Sequence, residues 1–288
     1  MSENAIQFKS VTKRNQGYLD KVSFSLPTGT IMALIGENGA GKTTIINTIT
    51  GLSDIDGGEI LLFGNNIAGI NAEERNRIGI VFDFLPFRET FSATEVAYVL
   101  SGVYSAWDAA KFAEYMRRLH LIPTRPIKEY SQGMKYKLQL ACALSHDADL
   151  LVLDEPLANL DPAAKEDVMS CLMEYMQDGN RSILISTNTP SDVEPYADSV
   201  TLIQSGKVIV SSEKDALYES YGILRCGSED ISRIDASDIV AMRRNSFGAE
   251  ILVKNRRSIA ERYSGMIVDK ATLEEILIFH LLKNSEVI

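Results

Sequence analysis

The stretch Gly36-Glu37-Asn38-Gly39-Ala40-Gly41-Lys42-Thr43 decides the fold. It fits G-x-x-x-x-G-K-[ST], the pattern of a phosphate loop. Before it, residues 30–35 form a continuous apolar run, short enough for a fully buried strand. After it, residues 43–50 are expected to be helical and to stop at Gly51. That strand–loop–helix context is the one the motif requires. Glycines let the backbone turn its N–H groups toward phosphate oxygens, and the helix N-terminus adds partial positive charge. Lys42 is placed to reach the β and γ phosphates, and the Thr43 hydroxyl to ligate Mg²⁺, with Thr44 next to it in the binding set.

A second motif lies downstream, Leu150-Leu151-Val152-Leu153-Asp154-Glu155-Pro156. A buried apolar strand would deliver Asp154 to the mouth of the sheet, where it can bind Mg²⁺ through water. Glu155 is then placed to polarise an attacking water. By itself this reads equally as a strand ending in an acidic turn; the phosphate loop upstream gives it meaning.

Around these motifs, residues 6–11, 22–26, 59–63 and 78–82 read as strands. Residues 88–146 read as mostly helical, with helices at 94–100, 107–119 and 131–144. Residues 150–210 alternate again: strands at 150–153 and 182–186, a helix at 163–176, and a hairpin of 200–203 and 207–210 around Ser205-Gly206. Alternation with short buried runs implies an α/β sheet. Beyond residue 222 the pattern becomes a small α+β appendage. Its strands are expected at 222–226, 250–253 and 266–268, and its helices at 236–243, 258–263 and 273–282. The last helix has Thr272 and Glu275 in capping-box spacing and Leu273, Ile276, Leu277, His280 and Leu281 on one face.

The formal charge of −10 disfavours a general nucleic-acid binder, and equally an electrostatic membrane anchor. Cys142, Cys171 and Cys226 are odd in number and widely spaced, so they suggest neither a disulfide framework nor a zinc site. A reduced, intracellular compartment fits them. Residues 1–16 lack the apolar core of a signal peptide, and the apolar runs at 150–153 and 276–282 are too short to span a bilayer. A membrane process would need another chain for its membrane part.

Between the two motifs lies Tyr130-Ser131-Gln132-Gly133-Met134, starting a helix, and after Glu155 comes Pro156-Leu157-Ala158-Asn159-Leu160-Asp161. This ordered set resembles the ATP-binding subunit of an ABC transporter over residues 3–220. YSQGM stands where that family has its LSGGQ signature, and ANLD where it has the D-loop. The closer resemblance is to single-domain ATPases of bacitracin-resistance and antimicrobial-peptide exporters. It implies a RecA-like P-loop core with an N-terminal antiparallel β part and an inserted helical subdomain near 88–146. Residues 1–221 would be the ATP-binding domain and 222–288 an accessory α+β domain. It implies ATP and Mg²⁺ as cofactors, and a second nucleotide-binding domain, identical or a sister chain, as partner. Ser131, Gln132 and Gly133 would then meet the partner's nucleotide, with Asp161 in the D-loop. A transmembrane permease would hold the cytoplasmic chain at the inner face of the cell membrane. Ser131 is also a good N-cap for any helix.

Three positions depart from the family pattern. Asp83 stands where a glutamine usually follows the strand at 78–82; aspartate can bind the metal but cannot donate a hydrogen bond. Asn188 follows Ser186-Thr187 where a histidine is usual; asparagine can donate to a γ-phosphate but cannot take a proton. The adenine-stacking aromatic would fall near Asn15, leaving Tyr18 as candidate or as a half-buried aromatic at a strand start. Trp107, Tyr104 and Phe112 read as packing of the helical part, and the pairs Arg117-Arg118, Arg243-Arg244 and Arg256-Arg257 as solvated faces. The expected activity is ATP hydrolysis that powers export by the permease, slow on account of Asp83 and Asn188. The rivals are a non-transport ABC ATPase that clamps another partner, and a nucleotide sensor with little hydrolysis.

Overall fold

The structure is a computed structural model, and it describes residues 3–15, 17–158, 160–245 and 248–285. Asn159 of the ANLD stretch lies outside the described residues. The chain opens with β1 (Asn4–Lys13), β2 (Leu19–Pro27) and β3 (Ile31–Ile35), followed by α1 (Lys42–Thr50). Next come β4 (Gly57–Leu62), β5 (Asn65–Asn66), α2 (Ala72–Asn76) and β6 (Ile78–Val81). The helical stretch holds α3 (Ala93–Ser101), α4 (Ala109–Arg118) and α5 (Gln132–Ala143). Then follow β7 (Leu150–Asp154), α6 (Pro162–Tyr175), β8 (Ser182–Thr187), α7 (Pro190–Val193), β9 (Ser199–Gln204), β10 (Lys207–Glu213) and α8 (Lys214–Ser220). The last part is β11 (Tyr221–Cys226), β12 (Ile239–Asn245), β13 (Gly248–Lys254), α9 (Arg256–Arg262), β14 (Ile267–Lys270) and α10 (Leu273–Ser285).

Three sheets result. An antiparallel sheet runs β2-β1-β4-β5, and a six-stranded sheet runs β10-β9-β3-β8-β7-β6, parallel from β9 to β6. Strand periodicity splits the central sheet between two cores. Met32, Leu34, Leu150, Val152 and Leu184 face α1 and the antiparallel sheet, packing with Ile45, Ile46 and Phe8. Ala33, Ile35, Leu151, Leu153, Ile183 and Ile185 face the other way, toward the cluster that includes Leu140 of α5 and Leu172 of α6. Burial on both faces explains why these strands read as unbroken apolar runs.

The third sheet runs β12-β13-β11-β14, all antiparallel. Its Ile223 and Leu252, with Ile276, Leu277 and Phe279 of α10, join the same hydrophobic cluster as Val193 of α7 and Leu217 of α8. The appendage therefore shares a core with the strand–helix part. Ile276 is 3% exposed. Ile276→Ala is expected to cost about 2–4 kcal/mol, as cavity-forming core truncations do. Urea unfolding checks it; a loss under about 1 kcal/mol would mean that α10 is only loosely docked.

One expected helix is a strand. Residues 236–243 form a short turn at Ala236–Asp238 and then β12. Ala, Met and Arg favour helix locally. Here they lie in an edge strand that pairs Met242 with Ile251 and Arg243 with Glu250, the latter as a cross-strand ion pair of 2.5 Å. The helix expected from 107 begins at Ala109, because Asp108 caps it, accepting from the backbone N–H groups of Ala110 and Lys111. Trp107, outside the cap, packs at 5.4 Å on Phe112.

Candidate functional site

The order β3-β8-β7-β6 brings four strand ends side by side, and each carries a residue singled out by the sequence. In register, Ile35 sits beside Thr187, Asp154 beside Ser186, and Leu153 beside Val81. The phosphate loop, Asp154-Glu155, Asn188 and Asp83 therefore emerge at one edge of the sheet, where α/β folds place their ligands.

Gly36 and Gly41 shape the loop. A Cβ on Gly36 would sit 2.5 Å from the Ile203 carbonyl oxygen, and Gly41 adopts φ +114 as the N-cap of α1. Glu37, Asn38 and Gly39 are exposed, whereas Ala40 is buried and accepts from the Gly206 N–H at 2.8 Å. Lys42 is buried; its Nζ donates to the carbonyls of Gly36 (2.7 Å) and Glu37 (3.2 Å). It also lies 3.1 Å from Glu155 Oε1, an ion pair without hydrogen-bond geometry.

Thr43 Oγ1 donates to Asp154 Oδ2 at 2.9 Å, joining the two motifs directly. Asp154 is 1% exposed, and its other oxygen accepts from the Ser186 hydroxyl. Burial pushes the Asp154 carboxyl up; the hydrogen bonds from Ser186 and Thr43 oppose this, while the charges of Asp83 and Glu155 add to it. Ser186 Oγ in turn accepts from the Glu155 N–H at 2.9 Å. Glu155 holds φ +49, in the left-handed region. Its Oε2 accepts from the Asn188 N–H at 3.3 Å, and Asn188 Nδ2 donates to Asn38 Oδ1 at 3.2 Å.

Two cavities open here. One, of about 340 Å³, is bounded by Asn38, Asp83, Gln132, Asp154, Glu155 and Asn188. The other, of about 440 Å³, runs along the loop past Lys42, Thr43 and Thr44 to Tyr18, and Asp83 and Glu155 reach it too. Tyr18 is 52% exposed at its end. Asp83 is exposed, on a backbone clamped from α5: buried Gln139 accepts from the Phe82 N–H and donates to the carbonyls of Phe82 and Phe84.

Ser131 caps α5, accepting from the Met134 N–H at 3.2 Å, and is exposed. Gln132 faces the smaller cavity, whereas Ser131 and Gly133 line neither. Asp161 caps α6, accepting from the Ala164 N–H. Lys165 on α6 pairs with Asp192 on α7 at 2.6 Å, so the helix after Asp161 is tied to the one after Asn188. Ser186 and Gln139 escaped the sequence reading. Gln139 left one signal, a polar residue in the otherwise apolar run from 138 to 143.

The donor set suits a hard cation: the Thr43 hydroxyl and Asp154 carboxylate are adjacent, and the Asp83 carboxylate borders the cavity. Among the described residues no group of three or more His, Cys, Asp or Glu could enclose a metal alone. Phosphate oxygens and water would have to complete the coordination. The three cysteines are free, and no helix among the described residues is long and apolar enough to cross a membrane.

Comparison with known proteins agrees with this geometry. The family described as ABC transporter matches residues 19–158. The lantibiotic transport ATP-binding protein SrtF of Streptococcus pyogenes is 30% identical over 238 residues, covering 82% of this chain and 96% of that protein. The Nod factor export ATP-binding protein I of Burkholderia orbicola (strain AU 1054) is 34% identical over 254 residues, covering 84% of this chain and 80% of that protein. A solved ATP-binding subunit of an ABC transporter superposes with a TM-score of 0.67 at 26% identity, covering 74% of this chain and 91% of that one.

Proposed function

The chain belongs to the ABC transporter family, as an ATP-binding, ATP-hydrolysing subunit, and from that premise we propose how its residues divide the work. The observation that carries the reading is the Thr43–Asp154 hydrogen bond, with Glu155 and Asn188 beside it at one strand edge. The backbone of Gly36, Glu37, Asn38, Gly39, Ala40 and Gly41 receives the phosphates, Lys42 neutralises their charge, and Thr44 borders the same cavity. Thr43 and Asp154 hold Mg²⁺, with Asp83 as a third oxygen donor. Bound there, the cation supplies charge neutralisation for the phosphates. Glu155 takes the proton of the attacking water, and the Asn188 amide donates to the terminal phosphate. Tyr18 lies where an adenine ring could stack on it.

Residues 1–221 act as the nucleotide-binding unit and 222–288 as an accessory unit without chemistry of its own. Ser131, Gln132, Gly133 and Asp161 meet the nucleotide of a second cassette, an arrangement supported by the exposed α5 N-terminus. Tyr98, Val99 and Val103 of the helical part are exposed, as is Phe84 just before it, and exposed apolar side chains suit contact with a membrane permease held at the inner face of the cell membrane. Export of peptides or antimicrobials is the cargo reading, supported by relatives named for lantibiotic transport and Nod factor export.

Asp83 and Asn188 favour a slow hydrolase as the variant reading. Both border the smaller cavity, so their effects are expected to couple. At saturating MgATP, Asp83→Gln or Asn188→His alone should change kcat by less than about threefold. The double change should raise it about tenfold, equivalent to about 1.4 kcal/mol of transition-state stabilisation. Phosphate release measured on all four proteins tests this. No gain in any folded, ATP-binding variant would remove these two positions as the brake.

A further inference from the structure

The residue after Asn188 completes a short chain of contacts that ends on the phosphate loop. Thr189 Oγ1 donates to Asn188 Oδ1 at 3.1 Å, and Asn188 Nδ2 donates to Asn38 Oδ1 at 3.2 Å. Both ends of the Asn188 amide are thus engaged, the oxygen by Thr189 and the nitrogen by the loop. Thr189 is the N-cap of α7, where a threonine hydroxyl usually accepts from a backbone N–H of the first turn. Its hydroxyl makes no such bond and turns back to Asn188 instead. The backbone that carries it is pinned from the strand end. The Thr189 N–H donates to Oγ1 of buried Thr187 at 2.9 Å, and the Thr187 hydroxyl donates to the Thr189 carbonyl at 3.3 Å.

The chemistry of an amide makes its orientation matter. One side of an asparagine donates and the other accepts, and only the NH2 side suits an anionic phosphate. Asn188 is exposed and borders the 340 Å³ cavity together with Asp83, Asp154 and Glu155. An unheld side chain there would keep its rotamer freedom. A hydroxyl can donate or accept, but the contact with Asn38 takes the amide NH2 and leaves the hydroxyl the carbonyl oxygen. Donation to that oxygen has a second effect: it polarises the amide and strengthens its N–H groups as donors.

We propose that Thr189 is a positioning residue whose hydroxyl holds and polarises the Asn188 amide, so that its NH2 faces the terminal phosphate of ATP bound on the loop. The proposal rests on the reading of Asn188 as a phosphate donor. It gives the hydroxyl that α7 leaves unused for capping a task at the nucleotide.

The test is Thr189→Val, which keeps the shape and removes only the hydroxyl. At saturating MgATP, kcat should fall about threefold to tenfold, the worth of one hydrogen bond, while the KM for MgATP stays within about twofold. Thr189→Ser returns the hydroxyl and should stay within about twofold of wild type. Asn188→Ala should lower kcat at least as far, and adding Thr189→Val to it should cost nothing more. A second readout needs no turnover. With asparagine labelled selectively with ¹⁵N and a non-hydrolysable ATP analogue bound, the Asn188 side-chain NH2 signal is identified by its loss in Asn188→Ala. It should shift in Thr189→Val and return in Thr189→Ser. Wild-type kcat in Thr189→Val, with Asn188→Ala impaired, would overturn the proposal and leave the role of Asn188 standing. An equal loss from Thr189→Val in both backgrounds would also overturn it, as the mark of a merely structural residue. Wild-type kcat in Asn188→Ala would overturn the phosphate-donor reading and the proposal with it. If the wild-type chain releases no phosphate, the ATPase reading falls instead, and an unshifted NH2 signal in Thr189→Val would still overturn the proposal.

Discussion

Glu155→Gln is expected to abolish turnover while leaving ATP binding intact. The carboxylate is held from three sides: by the Lys42 ammonium, by the Asn188 N–H, and through its own backbone N–H on Ser186. Its backbone sits at φ +49, a conformation that costs a non-glycine residue on the order of 1 kcal/mol and that persists where the surroundings enforce it. That arrangement holds the carboxylate beside the phosphate loop, where we propose that it acts as the base. Glutamine preserves the shape and the acceptor oxygen but cannot take a proton, so the rate should fall by about 10²–10⁴. The exchange also removes a negative charge from the place where the terminal phosphate would lie. An ATP-bound dimer should therefore accumulate, visible by size-exclusion chromatography with MgATP. A variant that releases phosphate at the wild-type rate would remove Glu155 from its role.

Lys42→Ala should fail one step earlier, at binding. The ammonium is 5% exposed and turned onto the loop, bonded to the carbonyls of Gly36 and Glu37. Alanine removes the one cation that the loop itself contributes. Two charge-assisted hydrogen bonds at about 1.5 kcal/mol each amount to roughly 10²-fold in affinity. Calorimetric titration with MgATP reads this directly. Wild-type affinity in a folded Lys42→Ala protein would mean that the nucleotide does not lie on this loop.

The sequence made the central sheet legible because its strands are buried on both faces. Residues 31–35 and 150–154 read as continuous apolar runs, and each ends in a motif whose chemistry requires a strand before it. The phosphate loop and Asp154 could thus be placed at the same edge before their 2.9 Å contact was seen. What stayed hidden depends on partners distant in the chain. Gln139 clamps a backbone more than fifty residues away, and Ser186 gains its meaning only when β8 lies beside β7. Residues 236–243 show the opposite failure. Ala241, Met242 and Arg243 favour helix locally, and the pairing with β13 overrode it. Asp83 and Asn188 were legible as departures, but the Asn188–Asn38 hydrogen bond was not.

We propose that this chain hydrolyses ATP with the groups at that edge and a second copy or sister cassette across from them. Phosphate release by the purified wild-type chain, followed across a range of protein concentrations with Mg²⁺ and again with EDTA, tests it most directly. Release is expected to require Mg²⁺, with a rate per chain that rises with concentration as cassettes pair. A chain that binds MgATP yet releases no phosphate at any concentration, or releases it equally in EDTA, would contradict it.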